Sequence, residues 1–381
     1  MEIDTDIPQF LANQKRAAPA SLHSYYDTFE DLYERKLWHQ LTLRIERFVA
    51  QPESGPFQVD LVDHFISDWE AKMNQIKFVS ISVSAARQFK DIKDAKTFLE
   101  KITAKVDKEA SREAYVFAKM ETAHYQLLLG DLELVKKAMD ECQKHLDTFD
   151  SVDPLINASF LRVSADYFKI KADYAKYYKH ALLYLACVNI DDLAVADKAS
   201  RANDLALSAL LGDTIYNFGE LLMHPILESL SGTEREWLKN LLFAFNSGDI
   251  GKFEALAPNF SQEAILQNNM TALRQKICLM SLTETVFKRN ADNRNLPFMT
   301  IATETKLPVE EVEILVMKAL SLGLIKGTID QVDEVVRVTW VQPRVLDRQQ
   351  IKGMQERLRA WTDNVRKTAL SMESESVDVY A

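Results

Sequence analysis

Seven histidines and three cysteines are the residues of this sequence best suited to hold a metal or act as nucleophiles, so their spacing is the first test of local chemistry. His23, His39, His64, His124, His145, His180 and His224 are scattered. No H-x-H pair or H-E-x-x-H helix sets two ligands side by side, so metal catalysis lacks ligands and neither metal nor cofactor is expected. Cys142, Cys187 and Cys278 each sit in an apolar helical run without a neighbouring His to activate the thiol, and an odd, widely spaced set is no disulfide framework. Gly248-Asp249-Ile250-Gly251-Lys252 is too short for a phosphate loop and lacks the hydroxyl residue that should follow the lysine. No G-x-S-x-G elbow is present. What remains for catalysis is a site assembled from distant side chains, which no local signature supports, and the chain is expected not to be an enzyme.

The best-specified local structure lies at residues 296–342 and reads as a winged helix. Thr300 can cap a short first helix, Ile301 to Thr305, and Pro308 suits the first turn of a second, where its missing N–H has no intrahelical partner to lose. Val309, Val312, Leu315, Val316, Ala319 and Leu320 then recur at helical steps on one face, and Gly323 stops the helix. Two alternating runs follow, with Ile325 and Ile329 in the first, Val336, Val338 and Trp340 in the second, and a wing turn at Val332-Asp333-Glu334. A helix-turn-helix invites a DNA-binding reading, but Glu310, Glu311, Glu313, Asp330, Asp333 and Glu334 outweigh Lys318, Lys326 and Arg337. Carboxylates facing phosphate forfeit the counterion-release gain, so protein contact through the sheet edge or wing is the expected use.

The whole composition agrees. A chain of 381 residues, 47% hydrophobic and 27% charged with only 10 Gly and 10 Pro, has ample core and few linkers, which favours long, continuously packed helices. Net charge of -10 and a pI near 5.4 argue against general affinity for nucleic acid or anionic membrane. The acidic start MEIDTDIPQFLANQKR lacks the basic and apolar regions of a secretory signal, and no apolar run reaches membrane-spanning length. A cytoplasmic and nuclear setting is expected.

Helix follows helix from Ser21, with a break at QPESGP and expected runs from Phe57 to Met73 and Gln75 to Val106, the latter with Phe89, Ile92, Phe98, Leu99 and Ile102 as core. Beyond Ala110 a small residue followed by Asp recurs at Gly130-Asp131, Ala172-Asp173, Gly212-Asp213 and Gly248-Asp249, so the aspartates fall 42, 40 and 36 residues apart. A small residue ending one helix and an Asp capping the next predict helical hairpins, and their repetition predicts an α-solenoid. The Lys- and Tyr-rich stretch Asp166 to His180 places Tyr174, Tyr178, Ala181 and Leu185 on one face and Lys176 and Lys179 off it, which is packing rather than a nucleic-acid platform. A helix from about Met270 to Asn290 should buttress the winged helix. A last helix, about Asp347 to Met372, carries Ile351, Met354, Leu358, Trp361, Val365, Thr368 and Met372 at alternating steps of three and four. That narrow seam is a coiled-coil signature and favours helices of other chains over the chain's own solenoid.

Degenerate helical repeats, a winged helix with the core LVMKALSLGLIKGTIDQVDEVVRVTW and a terminal helix resemble the PCI family, the helical subunits of the proteasome lid, the signalosome and the translation initiation factor three complex. The family pattern matches Leu315, Leu320, Gly323, Ile325, Gly327, Ile329, Asp330, Val336 and Val338, and the segments YYDTFEDLYERKLWHQLTLRIERFV, LYLACVNI and LGLIKGTIDQVDEVVRVTWVQPRVL point to its lid members. The resemblance implies an all-α fold: a TPR-like α-solenoid, then a winged helix with a small β wing, then a C-terminal bundle helix. It implies N-terminal repeats over 1–170, a PCI domain over 171–342 with its winged helix at 293–342, a bundle helix over 343–372 and a disordered tail over 373–381. It further implies a non-catalytic scaffold in ubiquitin-dependent degradation, with winged helices of neighbouring subunits side by side and last helices in a shared bundle. A ubiquitin-receptor subunit near the N-terminal repeats is a further implied partner. The residues expected to meet other subunits are Val336, Val338, Trp340, Ile351, Met354, Leu358, Trp361 and Val365. The alternatives are a PCI subunit of another complex and a nucleic-acid-binding winged-helix protein.

Overall fold

The structure is a computed structural model that describes residues 7–289, 294–345 and 348–375. The chain divides into two compact units, Met1–Leu193 and Ala194–Ala381. The division leaves the hairpin of Pro154–Ile170 and Tyr174–Cys187 whole within the first unit.

The first unit is built of helices packed on their neighbours in sequence. A helix not anticipated from the sequence, Ile7–Ala17, buries Leu11 and pairs Lys15 with Asp27 of the next helix, His23–Glu34. Trp38–Val49 follows, then a helical run over 55–72 with a π-helical turn at Leu61–Ile66. Tyr26, Phe29, Phe48, Phe65 and Trp69 are fully buried, and the rings of Trp38 and Trp69 stack at 5.5 Å. Such aromatic pairs add to the burial that holds the unit together. The expected run from Gln75 to Val106 is two helices, Gln75–Ala86 and Ile92–Val106. Asp91 starts the second by accepting the Lys93 N–H at 3.0 Å, which leaves Ile92 exposed while Phe98, Leu99 and Ile102 are buried.

Three of the four small-residue–Asp turns join helices as the spacing predicts. Gly130 (φ +89°) separates Arg112–Leu129 from Leu132–Leu146, Ala172 (φ +55°) separates Pro154–Ile170 from Tyr174–Cys187, and Gly248 (φ +65°) separates Glu236–Ser247 from Ile250–Leu256. Asp173 and Asp249 accept backbone N–H bonds from Lys176 and Lys252, whereas Asp131, expected to cap in the same way, makes no side-chain cap bond. At Gly248 any other residue would be strained and its Cβ would lie 2.6 Å from Ser281 Cα, so close helix packing as well as the turn demands glycine. The fourth turn differs. Gly212 ends Val195–Leu211 with φ -66°, and residues 213–218 are irregular, so Asp213 caps no helix. In the Lys- and Tyr-rich stretch, Tyr178, Ala181 and Leu185 are buried and Lys176 and Lys179 exposed, the packing arrangement.

In the second unit the long helix Met270–Lys288 packs on Glu236–Ser247 and on the winged helix, burying Leu273, Ile277 and Met280. The winged helix has three strands, not two: β1 (Asn295–Pro297), β2 (Ile325–Asp330) and β3 (Val335–Val341), antiparallel in the order β1-β3-β2. Its first helix is Phe298–Thr305, starting three residues before the expected Ile301, so Thr300 is not its cap. Pairing of β1 with β3 fixes the chain's entry, and the Phe298 N–H donates to the Glu334 carbonyl at 2.8 Å, so no side-chain cap is needed. The second helix, Val309–Ser321, buries Val312, Leu315, Val316 and Ala319, and Gly323 (φ +68°) follows its end. The terminal helix runs from Arg348 to Glu375, so Glu373–Glu375, expected in the tail, are helical. Residues 376–381 lie outside the described residues.

Candidate functional site

The three cysteines are poor nucleophiles here. Burial pushes the Cys142 thiol up to about 12 and also raises Cys187 and Cys278, so none supplies a thiolate near neutral pH. Among the described residues no group of three His, Cys, Asp or Glu side chains converges as a metal site. Asp249, in the loop that mimics a phosphate site, is a helix cap whose carboxyl is held below its usual range, first by the Lys252 backbone N–H.

Surfaces, in contrast, are prominent. In the terminal helix Ile351, Met354, Leu358, Trp361 and Val365 are 41% to 65% exposed, and no residue from Ile351 to Glu375 is buried. The seam residues share one stripe of a helix 28 residues long, and that stripe faces solvent along its length.

The segment that launches this helix is fixed. The Gln342 N–H donates to the Leu324 carbonyl at 2.8 Å, and Arg344 forms an ion pair with Glu284 and donates through Nη2 to the Asn246 carbonyl at 2.7 Å. Both side chains of the pair are 10% exposed, and the Arg344 guanidinium lies 5.6 Å over the Phe287 ring. Val345 sits over Gly219, where a Cβ would collide with it. Breaking a buried pair of this kind typically costs about 3–5 kcal/mol, so the exit point is held firmly.

On the winged helix, the predicted contact residues separate into two kinds. Val336 and Val338 are buried at 0% and 5%, so they belong to the subdomain's own core and are corrected from surface to structural residues. Trp340 is 37% exposed with the Lys326 ammonium 5.0 Å above its ring. The cause is a bulge: Lys326 pairs with Trp340 but Gly327 pairs with Val338, so Thr339 is the extra residue and the strand's alternation changes phase there. Gly327 is required because a Cβ would strike the Arg337 carbonyl. Met299, Ile314 and Met317 add further exposed apolar surface. The cations of the wing are already engaged, Arg337 with Asp330 at 3.5 Å and Lys318 with Gln275 at 2.8 Å, which leaves Glu310, Glu311, Asp333 and Glu334 open to solvent.

One organising residue is not singled out by sequence reasoning. Lys276, 7% exposed, donates to the carbonyls of Ala209, Leu210 and Gly212 at 2.8, 3.0 and 2.7 Å, closing the end of Val195–Leu211 where the fourth turn departs from the pattern. Its ammonium lies 5.4 Å from the rings of Tyr216 and Phe218. Burial pushes its pKa down from 10.5 to about 7, against the opposing pull of Asp213. The available signal is a lysine set between Leu273 and Ile277 on the apolar side of a helix. Nothing local marks Arg344.

Comparison with known proteins fits this arrangement part by part. Residues 25–242 match the PSD13 N-terminal repeats, 253–340 the PCI domain and 344–376 the Rpn9 C-terminal helix. The chain is 41% identical to the 26S proteasome non-ATPase regulatory subunit 13 homolog B of Arabidopsis thaliana, over 98% of this chain and 99% of that protein. It is 41% identical to the probable 26S proteasome regulatory subunit rpn9 of Schizosaccharomyces pombe, over 100% and 99%. A eukaryotic translation initiation factor 3 subunit M of Aspergillus fumigatus matches more weakly, at 28% identity over 43% of this chain and 36% of that protein. Full-length likeness at this level, together with the three matched segments, shows that the chain belongs to the 26S proteasome non-ATPase regulatory subunit 13/Rpn9 family of PCI-domain proteins.

Proposed function

We propose that the chain is a non-catalytic scaffold subunit of the proteasome regulatory-particle lid, supporting assembly and thereby ubiquitin-dependent degradation. The observation that carries this reading is the terminal helix, whose apolar seam is exposed along its length. A 28-residue helix with that seam needs partner helices to bury it, and burying Leu358 and Trp361 would contribute about 1.5–3 kcal/mol each. The Arg344 clamp holds the chain just before the helix, and the winged helix offers the edge strands β1 and β2 and exposed Trp340 for contact with neighbouring PCI subunits. Acidic groups on the wing oppose a nucleic-acid role. A cytoplasmic and nuclear location suits such a subunit, and none of the described helices is long and apolar enough to cross a membrane.

Truncation after Arg348 tests the reading. The truncated monomer should melt almost as the full chain does, while its sedimentation with the regulatory particle falls sharply. A truncated chain that still assembles normally removes the bundle role, and a lowered melting point without loss of assembly assigns the helix to its own chain.

A further inference from the structure

A groove in the first unit is lined from four helices, Gln75–Ala86, Arg112–Leu129, Pro154–Ile170 and Tyr174–Cys187, and has a volume of about 230 Å³. At its centre Arg162 donates through Nη2 to both carboxylate oxygens of Glu121, at 2.7 and 2.8 Å, and the Ser159 hydroxyl donates to the same carboxylate at 2.6 Å. That carboxylate is therefore fully engaged. The Nε of Arg162 is buried without a protein partner, and the side chain of Arg87, on the groove's rim, has no hydrogen-bond or ion-pair partner among the described residues. Val83, Phe117 and Leu155 supply apolar wall beside these cations, Leu155 being 45% exposed.

Charge decides what fits. Among the lining residues two guanidinium groups stand against one engaged carboxylate, so the lining is cationic within a chain whose net charge is -10, with Asp166 a further carboxylate acting on Arg162 from outside the lining. The nearby His124 feels it: burial lowers its pKa first and Arg162 next, with Glu121 and Asp166 opposing. A carboxylate is planar and accepts two N–H bonds side by side, which matches a guanidinium edge, and the apolar wall suits a neighbouring side chain on the same segment.

We propose that this groove is a docking site for an acidic peptide segment of a neighbouring subunit, with an Asp or Glu carboxylate received by the exposed Arg87 guanidinium beside the Arg162–Glu121 pair and an adjacent apolar side chain laid against Leu155 and Phe117. The proposal rests on the scaffold reading for its partner, but on a surface remote in sequence from the winged helix and the terminal helix. Arg87 lies exposed and unpaired, so changing it leaves the core intact.

The test uses the full chain in the assembled regulatory particle, with Leu155 replaced by the photo-crosslinker p-benzoylphenylalanine and the crosslinked peptides identified by mass spectrometry. The expected result is one dominant segment of another subunit with Asp or Glu beside the crosslinked position, and a yield lowered at least about fivefold by Arg87→Glu with assembly and thermal midpoint unchanged. No intersubunit crosslink, a segment without acidic residues, or a yield indifferent to Arg87→Glu overturns the proposal. Loss of the crosslink after phosphatase treatment of the particle also overturns it, by assigning the groove to a phosphate instead of a carboxylate. Failure of the unsubstituted chain to enter the particle at all overturns the scaffold reading, and the docking proposal with it.

Discussion

Lys276 does at one helix end what a capping turn does at the others. Its three donors meet three carbonyls at the close of Val195–Leu211, the end where partial negative charge gathers, so the ammonium is held by both hydrogen bonds and the helix field. Burial works against that charge and sets the folded pKa near 7, below the 10.5 of an unfolded lysine. Between these values the unfolded chain binds the extra proton, so the residue's contribution to stability rises with pH from 7 toward 10.5 and is least below 7. Lys276→Met deprives the helix-end carbonyls of the N–H donors that the neutral amine still supplies at pH 9 and should destabilise the chain by about 1–3 kcal/mol there, and by less at pH 6. Urea melts of both proteins at the two pH values check this. An equal difference at both would mean that the lysine keeps its charge state on unfolding.

At the scale of the element, the β3 strand carries two roles that one bulge keeps apart. Val338→Asp should cost about 2–4 kcal/mol, from lost apolar burial and an unpaired carboxylate, whereas Trp340→Asp should stay within about 1 kcal/mol because its ring is already partly in water. Similar losses from both in thermal melts would place the phase change elsewhere in the strand. The sequence predicts much of this region, because Val309–Ser321, its apolar face and the stop at Gly323 rest on contacts within a few residues. The bulge at Thr339 and the pairing of Asn295–Pro297 with β3 depend on chain segments far apart, and three residues are too few to show an alternation. The same distinction explains the repeats. Gly130, Ala172 and Gly248 turn where local signals say, but Gly212 is decided by Lys276, 64 residues away. For the predicted contact residues, the seam spacing is legible along one helix, while the burial of Val336 and Val338 needs the register of the whole sheet.

For the whole molecule, the main consequence is that a chain with its own cores complete still leaves a long apolar seam uncovered. Exposed apolar stripes of this length draw association, and the seam's three-and-four spacing suits a coiled coil of any stoichiometry that buries it. Without partner subunits the nearest available helix is that of a second copy. The isolated full-length chain should therefore associate weakly with itself, its sedimentation coefficient rising with concentration. Leu358→Lys combined with Trp361→Lys should abolish that rise, because two ammonium groups in the seam cannot be desolvated against a partner. The same pair should leave the monomer's stability within about 0.5 kcal/mol, since both side chains are more than half exposed in the chain itself. Sedimentation velocity over a range of concentrations, run beside thermal melts of both proteins, separates the cases. A full-length chain that stays monomeric throughout, and loses stability when the pair is replaced, would show that the seam packs against its own chain.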